Sequence, residues 1–346
     1  MGLRARLSGT ALATALFVAF VPATANAAED GEEGSHTVFS DNFQSGFDTT
    51  NKWFQMPVGG LTSGDGITST SSAGLKVVPS GKDSAGNPAF AYTTGQQSAG
   101  GQGDADHLKY LTSPRHYSTK GFPGWDTPDF GTQSCNTRMG VTTTNTDKHP
   151  FGAAVSNAQT DPRLASGALV SFDQETNMVF DFFVTNNTVY AFYERLRSPG
   201  STYASFSYAV PVMTITKGQQ VAYSITLDQQ RTRARWKVNG VTMLTVSKIG
   251  TRALDRKYLL IDHGGNDEVV APRQMQCALG TFTLLDGSGA DGKGLVKLDS
   301  TANSYYKPSV GAPTAQSFFD DQSLAGNRLW GQGAQLQVAS FSVSAS

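Results

Sequence analysis

Apolar and polar residues alternate along this chain in short runs broken by Gly, Pro, Asn, Asp and Ser. From Val38 onward no stretch keeps the i, i+3, i+4, i+7 apolar spacing of a helix for three turns without a Gly or Pro. Eleven runs read instead as strands: Gly74–Val78, Gly167–Phe172, Met178–Val184, Thr188–Leu196, Ala204–Val212, Gln220–Leu227, Arg233–Val238, Val241–Val246, Lys257–Ile261, Cys277–Leu285 and Gln335–Val343. Many short strands with turn residues between them predict an all-β, antiparallel β-sandwich. The run from Leu295 to Asn327 carries few strand signals and is expected to wrap the sandwich before the last strand closes it.

Glu175–Arg195 reads as a β-hairpin with two unlike faces. Asn186-Asn187 is its expected turn, since Asn tolerates the positive φ of tight hairpins, and Thr185 then pairs with Thr188. Strand alternation puts Met178, Phe180, Phe182, Val184, Val189, Ala191 and Tyr193 on one face, which is core material. The other face collects Glu175, Asn177, Asp181 and Glu194 beside Val179, Phe183, Tyr190 and Phe192. A second hairpin runs from Arg233 to Val246 about Asn239-Gly240, the strongest short-range hairpin signal.

The ends set the compartment. Arg4 and Arg6, the apolar run Thr10–Val21 and the small-residue site Ala25-Asn26-Ala27 make residues 1–27 a signal peptide. Residues 28–36 form an acidic leader expected to be disordered, and 37–346 a single domain. The protein is expected to be secreted after cleavage near Ala27, without a membrane anchor, and monomeric. Cys135 and Cys277, alone in an exported chain, are expected to form a disulfide. Loss of Arg4 and Arg6 takes the formal charge from −1 to −3, which excludes a nucleic-acid partner that needs a basic surface.

Carboxylates interleaved with aromatic rings on one sheet face suit a carbohydrate: acids for catalysis or hydroxyl recognition, rings for stacking. Asp181 and Glu194 should meet diagonally across the hairpin, where two carboxyls with separated pKa values could cleave a glycosidic bond, with Glu175 as a third candidate. The competing reading pairs Glu194 with Arg195 or Arg197 and leaves Asp181 a plain hydrogen-bond acceptor. Asn177, Phe183, Tyr190, Phe192 and His263 are the candidate substrate contacts. A lyase would instead use Tyr190 or His263 as base and Asn177 or Arg273 as carboxylate neutraliser. The histidines of Asp106-His107 and Asp262-His263 sit beside turns, where a structural role competes with a catalytic one. No serine elbow, phosphate loop or His-rich metal box is present, so neither metal nor redox cofactor is expected.

Three segments, FSDNFQSGFDTTNKW near the start, ARWKVNGVTMLTV and the final AQLQVASFSVSAS, resemble the concanavalin A-like lectin/glucanase superfamily, which includes laminin G-like binding modules. The whole chain also resembles uncharacterised secreted proteins of actinobacteria. The superfamily likeness implies a jelly roll with a concave glycan-binding face. Its laminarinase-type members carry a Glu-x-Asp-x-x-Glu or Glu-x-Asp-x-Glu strand that this chain lacks. The nearest string here is Glu175 to Asp181, with Val179 where an acid would stand, so no catalytic residue carries over. The likeness also implies a structural calcium, for which Asp286-Gly-Ser-Gly-Ala-Asp291-Gly is the candidate loop. The expected function is therefore a secreted carbohydrate-active protein that cleaves a polysaccharide. The alternatives are a non-catalytic lectin-like module and a catalyst for a small apolar molecule bound by Phe183, Tyr190 and Phe192.

Overall fold

The structure is a computed structural model that describes residues 34–96, 103–198, 200–228, 230–289, 292–301, 304–308 and 313–346. Residues 1–27, expected to be a signal peptide, and residues 28–33 of the expected acidic leader lie outside them. Among the described residues, no helix is long and apolar enough to cross a membrane.

Two antiparallel sheets make the sandwich. The nine-stranded sheet runs, in spatial order, Leu259–Asp262, Phe206–Thr214, Thr188–Arg195, Met178–Val184, Ser166–Asp173, Gln274–Phe282, Leu108–Pro114 and Trp53–Gln55, with the short Trp125–Asp126 alongside Gln274–Met275. The eight-stranded sheet runs Val241–Ser247, Arg233–Val238, Val221–Asp228, Thr132–Thr144, Gly333–Ala345, Gly74–Val78 and Ile67–Ser71, and His36–Asp41 pairs with the end of Gly333–Ala345. The chain passes repeatedly from one sheet to the other, and its last strand lies in the middle of the eight-stranded one. This is an all-β jelly-roll sandwich.

The core lies between the sheets. Phe180, Phe182, Tyr193, Tyr208 and Leu279 from one meet Val141, Tyr223, Ile225, Trp236 and Leu336 from the other, all buried. Cys135 and Cys277, 142 positions apart in sequence, join the two central strands through this core by a disulfide, with Cα atoms 5.4 Å apart. Trp236 buries its ring here and donates its indole N–H to the backbone oxygen of Asp181 at 2.8 Å. That bond locks one sheet to the other at the strand carrying the candidate acid.

Outside the nine-stranded sheet, the chain after Phe282 folds back as a cover. Lys293–Val296 and Ser317–Asp320 pair in parallel. Leu284 packs among Ala168, Val170, Phe183, Phe192, Ala209 and Ala278, and Tyr305 and Phe318 pack on Ile261. The wrap read from Leu295–Asn327 therefore exists, and it lies on the face expected to be open.

Candidate functional site

The hairpin forms in the expected register. Met178 opposes Arg195 and Val184 opposes Val189, and the Thr185 N–H donates to the Thr188 carbonyl at 3.0 Å. The reason for its turn differs from the expected one. Neither Asn186 nor Asn187 has a positive φ, whereas Asn177 at the far end does, at 58°. Asn186 instead accepts from the Thr143 N–H at 2.8 Å and donates to the Thr143 carbonyl at 3.1 Å. It is buried, and it ties the hairpin to a strand of the opposite sheet.

Alternation brings Asp181 and Glu194 together on the outer face. Asp181 opposes Phe192 and Glu194 opposes Val179, which makes the two acids diagonal neighbours. Asp181 is 3% exposed, and its Oδ1 accepts the Ser171 N–H at 3.2 Å. Burial, then the charge of Glu194, push its carboxyl well above the ordinary range, and the single Ser171 donor offsets them only in part. Glu194 is half-buried and accepts from the Ser207 hydroxyl across the next strand pair. Within the pair, Asp181 is therefore the carboxyl that holds a proton more readily than an ordinary aspartate, and Glu194 is the one nearer solvent. Neither arginine considered as a partner for Glu194 is turned to it. Arg195 stacks on Tyr203 at 3.8 Å and donates to three backbone carbonyls, while Arg197 pairs with Asp299 at 3.1 Å.

Other candidates are placed elsewhere or are occupied. Glu175 sits at the end of the sheet in a two-pronged pair with Arg273, whose Nε lies 2.9 Å away, and accepts from Gln274 at 3.2 Å. Those bonds lower its pKa and neutralise it. Arg273 is thereby committed to Glu175. Asn177 donates to the Tyr203 hydroxyl at 3.1 Å. Phe183 and Phe192, expected as stacking surfaces, stack on each other at 4.4 Å and are closed off by Phe282 and Leu284. Two apolar rings gain more from leaving water than from facing it, about 2–3 kcal/mol each. The Tyr190 hydroxyl donates to the Thr160 carbonyl at 2.7 Å, and burial pushes its pKa up to about 12. His263 Nδ1 faces the Ser304 carbonyl, so the ring anchors the cover.

Asp286 is not free for calcium. His107 Nε2 lies 2.6 Å from Oδ1, and the Tyr305 hydroxyl donates to Oδ2 at 2.7 Å. Burial raises this carboxyl, but the His107 charge and hydrogen bond, then Tyr305 and the charge of His263, outweigh it and hold the pKa below the ordinary range. Asp291 lies outside the described residues. Sequence reasoning missed Ser207, Ser171 and this Asp286 hub. The first two reach the acids only through strand pairing. The hub joins residues 179 positions apart, a separation no local pattern reveals. Phe172, partly exposed beside Val179 and Glu194, was missed as well.

Residues 40–346 match the model of a family of unknown function, DUF6081. The chain belongs to that family. An uncharacterised protein of Acanthamoeba polyphaga mimivirus is 29% identical to it, over 38% of this chain and 43% of the relative, so the chain spans less than half of that relative's length. Among solved structures, an endo-1,3-β-glucanase from Streptomyces sioyaensis overlays with a TM-score of 0.44 at 14% identity, covering 90% of this chain and 97% of its own. The laminarinase catalytic domain of Thermotoga maritima gives 0.41 at 11%, covering 90% and 98%. An alginate lyase from a Corynebacterium gives 0.40 at 11%, covering 89% and 99%. By name, these structural neighbours are glycan-active enzymes.

Proposed function

We propose that this protein is a secreted carbohydrate-active protein that cleaves glycosidic bonds of a polysaccharide on the outer face of the nine-stranded sheet. The observation that carries the reading is the diagonal pair Asp181 and Glu194, one buried with its carboxyl pushed well above the ordinary range, the other half-exposed. Two carboxyls whose environments push their pKa values apart form an acid and a base from the same chemistry. Glu194 is the group a sugar reaches, with the Ser207 hydroxyl fixing its rotamer. Asp181 lies buried below it and acts through Glu194 as a positioning residue. Phe172 and Val179 supply the apolar patch beside the acid.

A second reading is a lectin-like face that binds glycan without cutting it. What favours it is the depth of Asp181, which leaves a single acid within a ligand's reach. The small-molecule reading loses its support, because Phe183 and Phe192 fill with each other and Leu284 the space such a ligand would need.

One experiment separates the readings. The protein is incubated with a panel of polysaccharides, and new reducing ends and ultraviolet-absorbing products are measured. Glu194→Gln is expected to cut turnover at least 100-fold, about 2.7 kcal/mol of barrier, while glycan binding persists. Asp181→Asn is expected to lower turnover and shift its pH profile. Binding without product in the wild type, lost in Phe172→Ala, would establish the lectin reading instead. Unsaturated products would overturn hydrolysis in favour of elimination.

A further inference from the structure

We propose a second binding site, for a single neutral sugar ring, at the end of the sandwich where the Asn186 turn meets the strand Thr132–Thr144. A depression of about 310 Å³ lies there, at the lower end of small-molecule sites, which run from about 300 to 1,000 Å³. It is separate from the Asp181–Glu194 face, none of whose acids line it.

Its walls are held rigid by bonds that need no ligand. Asn145, at a left-handed φ of 54°, donates through Nδ2 both to Asp83 and to the Gly331 carbonyl, each at 2.8 Å. Asn186 grips both backbone groups of Thr143 and donates to Gln159 at 2.6 Å. Against this frame three side chains are left over. Asp147, Lys217 and Gln335 line the depression and make no side-chain hydrogen bond or ion pair among the described residues. Behind the depression, on the two faces of the strand Thr132–Thr144, the hydroxyl oxygens of Thr143 and Thr144 are buried without a partner. Buried hydroxyls normally find one.

The chemistry selects the ligand class. Free groups alternate between acceptor (Asp147), donor (Lys217) and both (Gln335), which suits vicinal hydroxyls that each donate and accept. No aromatic ring lines the depression, so a nucleobase or other flat apolar group finds no stacking partner. Asp83 and Asp147 outnumber Lys217, which disfavours uronates and phosphates.

The test uses the full-length protein, glucose, galactose, mannose, glucuronate and calcium chloride, read by saturation-transfer NMR and calorimetry. At least one neutral hexose is expected to bind the wild type. Asp147→Asn and Lys217→Gln are expected to weaken it tenfold or more. Both positions are exposed, so folding is preserved. Gln335→Ala should weaken it too, with an unchanged circular dichroism spectrum as control. Glu194→Gln should leave hexose binding intact, and Asp147→Asn should leave any polysaccharide turnover intact, so this site and the outer face succeed or fail separately. Absence of hexose binding, insensitivity to all three variants, loss only in Glu194→Gln, preference for glucuronate, or calcium binding abolished by Asp147→Asn without hexose binding would each overturn the proposal.

Discussion

Asp181 owes its raised pKa to groups that strand pairing puts around it. Its carboxyl loses hydration under Phe192 and Val170 and lies beside a second acid, with one backbone donor in return. The folded chain therefore holds its proton more tightly than the unfolded chain does. Its contribution to stability is full below about pH 4, the ordinary carboxyl value, and is lost as pH rises through the raised folded value. Asp181→Asn keeps the acceptor and removes the titration. The variant's melting temperature is expected to gain on the wild type as pH is raised from about 4 to 8. Parallel curves would remove the buried-acid account. Asp286 carries the opposite sign: its pKa is held down, so its contribution is present above about pH 4 and lost as pH falls. Asp286→Asn should destabilise by roughly 3 kcal/mol or more near neutrality, the cost of breaking a buried pair. That deficit should shrink in acid, as read by denaturant unfolding at each pH.

At the scale of elements, periodicity located strands well where one face was apolar. All eleven expected strands exist, and Met178–Val184 and Arg233–Val238 have the expected bounds. The omissions were polar. Thr132–Thr144, at the centre of the eight-stranded sheet, buries Gln133 and Thr137 among Cys135, Met139 and Val141 and turns Ser134, Asn136 and Arg138 outward. Its alternation is real, but three of its inward residues, Gln133, Thr137 and Thr143, are polar, so hydropathy hides it. Turn chemistry can be read locally only when it is carried by the backbone. Asn239-Gly240 takes φ values of 48° and 79°, as its sequence demands. Gly240→Ala meets no atom within 4 Å and should cost only the strain of a left-handed residue, about 1–2 kcal/mol. Gly74 is different: a Cβ there would lie 2.0 Å from the Val338 carbonyl oxygen. Gly74→Ala should displace the final strand and lower the unfolding midpoint far more than Gly240→Ala. Equal midpoints would contradict the close approach.

Across the whole molecule, two long-range ties hold the arrangement. The Cys135–Cys277 disulfide closes a loop of 142 residues across the core, and restricting the unfolded chain that way contributes about 4–5 kcal/mol. The double variant Cys135→Ala, Cys277→Ala is expected to unfold at markedly lower denaturant concentration with an unchanged native spectrum. The second tie is the cover. Leu284 plugs the outer face, His107 holds Asp286 from one side of the sheet, and His263 holds Ser304 from the other. Together they decide which part of that face is open to solvent, leaving Glu194 and Phe172 partly exposed and Phe183 and Phe192 shut.

The sequence by itself determined the strands, the register of the central hairpin and the side of the sheet on which Asp181 and Glu194 fall. Where one strand face is apolar, those follow from a period of two, which acts over a few positions, although the Asn186 turn itself is held by Thr143 of the opposite sheet. Only the tertiary structure decided that Glu175 is spent on Arg273, that Asp181 lies buried beside Glu194, and that the aromatic half of the face is sealed. Each of those facts depends on residues from distant parts of the chain. Burial and charge act through space, and alternation along a strand says which way a side chain points without saying what covers it.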